Sequence, residues 1–218
     1  AFTSNYGHSL GRTLRGDKEK AIIGDTIFSR IISYTAAACD ARMGGAMVPV
    51  MSNSGSGNQG MTASLPVIEY ANEIHADNEK LLRALALSNL VTIHQKAGIG
   101  RLSAYCGAIS AGCGAAAGIA YLLGGRFDVI AHTLANALAI CSGMICDGAK
   151  PSCAAKIASA VDAGLMGYHM YLHGGHQFVG GEGIVKKGVE KTIDSVGRLA
   201  RQGMRQTDEE ILDIMVGR

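Results

Sequence analysis

LSAYCGAISAGCGAAAGIAYLLGG (102–125) is long, apolar and built almost entirely of small residues, and it closes on the paired glycines Gly124 and Gly125. Two readings compete for such a run. A membrane-spanning helix wants about 20 consecutive, mostly apolar residues, whereas Gly, Ser and two cysteines interrupt this one. Val129 to Cys146 is also apolar, yet it carries His132, Asn136 and Ser142. Buried core helices are therefore expected over about 102–123 and 127–145, with no membrane span.

Outward from this stretch, residues 18–38 show apolar positions at helical spacing (Ile23, Ile27, Ile31) and give way to Gly44-Gly45. Helical periodicity resumes over about 61–95, with Pro66 near its start. It returns over about 152–172 and stops at His173-Gly174-Gly175-His176. The charged stretch 186–215 reads as an amphipathic surface helix. No run of period-two alternation appears, so the expected fold is mostly α, a helical bundle joined by glycine-rich loops. Nothing looks like a linker, and residues 1–218 are expected to form one domain.

Composition points the same way. Hydrophobic residues make up 48% and charged residues 17%, which implies a large core under a sparingly charged surface. Thirty glycines, three prolines and no Trp favour closely packed helices. The formal charge is +2, and no block of Lys and Arg interleaved with aromatics appears, so nucleic-acid binding is not expected. The opening residues AFTSNYGHSLGRTLRGDKEK lack a charged-then-apolar signal pattern, which makes the cytoplasm the expected location. Low surface charge with much apolar area favours self-association into a homo-oligomer.

Two segments carry candidate chemistry. In SNSGSGNQG (52–60), glycines let the backbone turn several N–H groups toward one ligand, while Ser, Asn and Gln add donors and acceptors. A loop of this kind opening a helix suits a carboxylate or phosphate. It is not a P-loop, since no GKS or GKT follows. The alternative is a flexible surface loop. The candidate substrate-binding residues are Ser54, Gly55, Ser56, Gly57, Asn58 and Gln59, with Arg42 upstream either pairing a carboxylate or anchoring the loop through Asp40.

The second segment is CDGAKPSC (146–153). Seven residues of continuous helix would hold Cys146 and Cys153 about 10.5 Å apart. Gly148 and Pro151 argue that the helix breaks here, so the two sulfurs converge and Ser152 caps the next helix. A third thiol would come from Cys106 or Cys113, of which a helix lets only one join. Soft sulfur ligands suit an iron–sulfur cluster or zinc, and small buried thiols are the alternative. Asp147 and Lys150 orient or neutralise charge beside these thiols, or form a solvated turn. His94 and His132 sit in apolar helical surroundings, where a core histidine is commoner than a base. His169, His173 and His176 give a weak zinc pattern.

ACDARMGG (38–45), VPVMSNSGSGNQGMTASLPV (48–67), GRLSAYCG (100–107), SGMICDGAKPSC (142–153) and VGRLARQGMRQTDEEIL (196–212) together resemble the L-cysteine desulfidases and the α-chain of iron–sulfur L-serine dehydratases. The resemblance covers essentially the whole chain. It implies a PLP-independent lyase with a [4Fe–4S] cluster acting on a small amino-acid substrate. Carried over by position, Cys106, Cys146 and Cys153 match cluster ligands, with a shorter loop before Cys153, and SNSGSGNQG occupies the substrate side. Cys39, Cys113 and Cys141 do not match ligands and are read as core. Full-length desulfidases also carry an N-terminal half with a cysteine in a Gly-Cys-Thr-Glu-Pro-like motif, which is absent here. The resemblance thus implies an N-terminal domain or partner chain supplying the rest, and the α-proton base remains unassigned.

Overall fold

The computed structural model describes residues 2–3, 5–175 and 177–218. Ten α-helices build it, with no β-strand among the described residues: α1 Leu10–Leu14, α2 Asp17–Ile23, α3 Ile27–Met43, α4 Gly57–Glu73, α5 Asn78–Ile99, α6 Gly107–Leu122, α7 Phe127–Ile140, α8 Cys153–Leu172, α9 Val189–Arg198 and α10 Arg205–Val216. The expected mostly α bundle is what forms. No helix among the described residues is long and apolar enough to cross a membrane.

The small-residue stretch forms the centre of the molecule. Fourteen of the 16 residues of α6 are buried, and α4, α5, α7 and α8 pack around it. Its glycines set how close the neighbours come. A Cβ on Gly112 would overlap the Ala160 carbonyl of α8, and one on Gly114 would overlap Thr92 of α5. A Cβ on Gly118 would stand 2.7 Å from Val67 of α4. Backbones at this range cannot accommodate larger side chains, so packing and register are specified by the same residues. Ser88 and Thr92 are buried beside them; the Ser88 hydroxyl donates to the Ala63 carbonyl at 2.6 Å, close to where Pro66 interrupts the α4 ladder.

The helix boundaries depart from the periodicity in three places. The first expected helix is two, because Gly24 (φ +80°) ends α2 and Thr26 opens α3 with a reciprocal capping box to Ser29. The 61–95 stretch is also two helices: His75 adopts φ +51°, and the Asp77 carboxylate caps α5 by accepting from Lys80 N–H at 2.8 Å. The C-terminal stretch is not one surface helix. α9 buries Thr192, Ile193 and Val196, a π turn follows at Leu199–Gly203, and only α10 stays exposed. Ser103 Oγ donates to the Ala200 carbonyl at 3.1 Å and Arg201 donates to the Ala97 carbonyl at 2.8 Å, which ties the π turn to the end of α5.

Asp162 on α8 lines an apolar groove with Leu10, Leu14, Phe28 and Ile32. Burial raises its pKa above the ordinary 3.8. A carboxyl whose folded pKa lies above its unfolded value costs nothing below the unfolded pKa and destabilises as pH rises through the folded one. Asp162→Asn is therefore expected to raise Tm at pH 7 by about 1–3 °C. Melting curves should show the gain shrink to nothing as pH falls toward 3.8.

Candidate functional site

Three helices begin at one end of the bundle, around one small cavity. Ser56 is the N-cap of α4, and its Oγ accepts from Gln59 N–H at 3.3 Å. Cys106 is the N-cap of α6, and Cys153 is the first residue of α8. Ser56, Asn58, Gln59, Cys106, Cys146, Cys153 and Lys156 line the cavity, whose volume is about 90 Å³. Each helix start presents unpaired N–H groups and roughly half a positive charge. Three together make a place for anions.

Cys106 and Cys146 meet through backbone pairing. Cys106 N–H donates to the Met144 carbonyl at 3.1 Å and Cys146 N–H donates to the Ala104 carbonyl at 2.6 Å, on either side of an antiparallel bridge between Tyr105 and Ile145. Side chains alternate faces along extended backbone, so Cys106 and Cys146 project to the same face of this bridge. Residues 147–152 then turn back, with Gly148 at φ +93°. No continuous helix joins Cys146 to Cys153. Lys150 N–H donates to Cys153 Sγ at 3.4 Å, and Cys153 Sγ donates to the Gly148 carbonyl at 3.7 Å. Ser152 takes the N-cap position but makes no side-chain cap, and its buried Oγ has no partner among the described residues.

The charges at the site are specific. Cys106 donates its thiol hydrogen to Cys146, which pushes the Cys106 pKa up and pulls the Cys146 pKa down; burial of Cys106 adds to the first effect. Gly148 N–H and the nearby Lys156 further favour the Cys146 thiolate. Asp147 pairs with both Lys150 and Lys156, which holds its pKa at about 2. These three form a charge cluster on a turn that stays partly exposed, with Lys150 at 40% and Asp147 at 39%. Lys156 also donates to the Ile145 carbonyl at 2.8 Å.

The glycine-rich segment divides in two. Asn53 and Ser56 exchange backbone hydrogen bonds at 3.1 and 3.0 Å around Ser54 (φ +51°) and Gly55 (φ +81°), a tight turn outside the cavity. Asn53 Nδ2 fastens that turn to α5 through Asn89 Oδ1 at 2.9 Å. Gly57 to Gly60 are already helix, so Asn58 and Gln59 reach the cavity from the first turn of α4. Arg42 donates to Asn58 Oδ1 at 2.9 Å, and a Cβ on Gly57 would meet its Nε at 2.6 Å. Arg42 therefore braces the turn through Asn58 and does not pair with Asp40, whose Oδ2 accepts from Gly11 N–H at 3.0 Å. Gln59 is 7% exposed and its Oε1 has no partner among the described residues. A Cβ on Gly107 would overlap its amide, so glycine there makes the room that Gln59 occupies.

The remaining candidates lie elsewhere. Cys113 is buried within α6 and Cys39 is buried on α3, its pKa pushed up to about 12 chiefly by burial. His94 is not in apolar surroundings: its side chain is 56% exposed and pairs with Glu190 at 2.7 Å. It faces outward because the buried face of α5 turns through Ser88, Thr92 and Gln95. His132 stacks on Tyr171 and His169 on His173; His176 lies outside the described residues. Among the described residues no three His, Cys, Asp or Glu side chains are placed around a single ion. One zinc would require every sulfur within about 2.3 Å of the same metal. A [4Fe–4S] cluster takes its cysteines on different irons and tolerates a wider spread of thiols.

Sequence reading missed two lysines. Lys156 lies three residues after Cys153, a spacing that puts both on one helix face once the start of α8 is known. Lys96, 6% exposed on α5, has no local signal at all.

Comparison with known proteins places the chain in a family. The sequence pattern of the family described as Serine dehydratase alpha chain matches residues 2–213. A UPF0597 protein of Desulfitobacterium hafniense is 59% identical over 212 residues, 97% of this chain and 48% of that protein. A UPF0597 protein of Lachnoclostridium phytofermentans is 53% identical over 213 residues, 98% of this chain and 50% of its own length. One of Bacteroides thetaiotaomicron is 49% identical over 215 residues, 99% of this chain and 50% of its own length. The chain thus spans about half the length of the curated relatives it matches. No solved structure is significantly similar to it. A family pattern matching residues 2–213 leaves one assignment: the chain belongs to the serine dehydratase alpha-chain family.

Proposed function

We propose that this chain is the cluster-bearing part of a PLP-independent lyase that carries out β-elimination on a small L-amino acid, L-serine or L-cysteine. One observation carries the reading: three thiols, three helix starts and an unpartnered amide oxygen share one cavity. The donor set fits a [4Fe–4S] cluster, because Cys106, Cys146 and Cys153 are free of disulfides and line one cavity. Held by these three cysteines, such a cluster would keep one iron without a protein thiolate. Bound there, the cluster would supply a Lewis acid for the substrate's β-hydroxyl or β-thiol.

The chain's own residues hold the substrate. The first-turn N–H groups of α4, with Ser56 and Asn58, take the α-carboxylate. Gln59 Oε1 accepts a hydrogen bond from the α-ammonium, a donor the amide otherwise lacks. Lys156, half-buried and held by Asp147, balances negative charge at the cavity wall. Loss of the α-proton and of the β-substituent gives an enamine. The elimination releases water from serine or sulfide from cysteine, and hydrolysis of the imine tautomer then consumes one water to yield pyruvate and ammonia. The α-proton base is assigned to the half of the relatives' length that lies outside this chain, as an N-terminal domain or partner chain. The setting is cytoplasmic, where thiols stay reduced.

The test is anaerobic reconstitution with iron and sulfide, followed by assay of pyruvate, ammonia and sulfide from L-serine and L-cysteine. Bound iron with matching acid-labile sulfide is expected, and the substrate that releases pyruvate is the one the site serves. Protein that binds neither iron nor sulfide under these conditions would remove the basis of this reading.

A further inference from the structure

α8 stands between two cavities. Cys153, Lys156 and Ile157 of this helix line the three-cysteine cavity, while Ala158, Ser159 and Asp162 line a separate groove of about 420 Å³. Helical spacing puts these two sets on opposite sides of α8. The groove is walled by Leu10 and Leu14 of α1 and by Phe28 and Ile32 of α3. Asp162 is the one charged side chain lining it, and among the described residues its carboxylate has neither a salt bridge nor a hydrogen bond. Cations on the surrounding elements are turned away or engaged. Arg12 is exposed and sits midway between Leu10 and Leu14, hence on the other side of α1. Arg15 and Lys20 both pair with Asp25. The Ser29 hydroxyl is already spent on the Gly24 carbonyl, to which it donates at 2.8 Å.

A half-buried carboxylate among aliphatic and aromatic carbons costs stability while it lacks a partner. Proteins keep such groups chiefly where they bind something. We propose that this groove is a binding site for a small organic cation, a primary amine on an apolar alkyl or aryl body. The ammonium sits on Asp162, and the body lies against Leu10, Leu14, Phe28 and Ile32. The absence of any Lys, Arg or His from the lining selects against zwitterions, because the carboxylate of an amino acid would be desolvated without a counter-charge. The volume falls within the roughly 300–1,000 Å³ of small-ligand sites, which favours a small molecule over a docked chain segment. The site is independent of the proposed lyase chemistry, since no residue lining the groove lines the three-cysteine cavity.

The test is calorimetric titration of the metal-free protein with 2-phenylethylamine, beside 2-phenylethanol and L-phenylalanine as the neutral and zwitterionic counterparts. Saturable binding of one amine per chain is expected, with a Kd of about 1 mM or tighter. The alcohol and the amino acid should each bind about tenfold more weakly or worse. Asp162→Asn should weaken the amine by about tenfold or more while melting no lower than the parent. Ser159→Leu places an apolar side chain in the groove from an exposed position of α8 and should abolish binding, with circular dichroism confirming the fold. An amine that does not saturate overturns the proposal, as does one that binds either variant as tightly as the parent. Equal binding of the alcohol would show that Asp162 selects no charge, and equal binding of L-phenylalanine would show a cation in the site; each overturns the assigned ligand class. A dimeric parent that Ser159→Leu turns into a monomer overturns it too, because the groove would then hold a second copy of the chain.

Discussion

Cys146→Ala is expected to fold normally and to lose iron, sulfide and all pyruvate formation together. Cys146 lies outside any helix, half-buried in the segment between α7 and α8, where it packs against the edge of the core. Losing this contact and the thiol hydrogen bond from Cys106 is expected to cost about 1 kcal/mol, which moves the melting point of a chain this long by only about 2–4 °C. Its chemistry is different. It is the low-pKa member of the Cys106–Cys146 pair, it receives hydrogen bonds from Cys106 and from Gly148 N–H, and it faces Lys156. Removing it deletes a ligand and also deprives Cys106 of its hydrogen-bond acceptor. Iron and acid-labile sulfide assays, read beside circular dichroism, check the expectation. A variant that retains the parent's iron would show that Cys146 is not a ligand.

Gly60→Ala should damage both stability and substrate binding. Gly60 lies inside α4, where Ala would ordinarily stabilise by about 1 kcal/mol. Here a Cβ would overlap the Met51 carbonyl, and the atom in the way is backbone, which has no rotamer to yield. The expected balance is a loss of about 1–3 kcal/mol, a fall in Tm of roughly 2–10 °C. Segment 51–52 must move, and with it the Ser56 cap and the first turn bearing Asn58 and Gln59. Substrate binding by the reconstituted protein is expected to weaken about tenfold or more, since shared hydrogen bonds to charged groups are each worth roughly 1.5–3 kcal/mol. Calorimetric melting together with substrate titration checks both effects. An unchanged Tm would mean that the 51–52 segment moves aside at no cost and has no part in positioning the site.

The helices were largely legible because periodicity is a local property. The small, apolar 102–125 stretch announced a buried helix, and α6 is the most enclosed element in the molecule. Boundaries were less legible. His75 and Gly24 adopt left-handed conformations that split two periodic runs, and periodicity continues across such breaks without recording them. The C-terminal stretch looked amphipathic, yet the π turn after α9 is tied to the end of α5 by hydrogen bonds about 100 residues apart in sequence.

At the site, the sequence alone determined the residue types and the break between Cys146 and Cys153, because Gly148 and Pro151 act on the backbone where they stand. It placed the next helix from about residue 61, whereas α4 already begins at Gly57, so Asn58 and Gln59 read as loop although they belong to its first turn. Tertiary structure decided the rest. Ser54 and Gly55 turn away from the cavity while Ser56, Asn58 and Gln59 line it, a distinction made by the Asn53–Asn89 contact. His94 and Arg42 went to Glu190 and Asn58, partners far along the chain. Lys96 lies in the last turn of α5, which is carried toward the start of α6 only by the register that close contacts at Gly114 and Gly118 impose. Propensity and periodicity act over a few residues, whereas the meeting of three helix starts at one cavity depends on how whole helices pack.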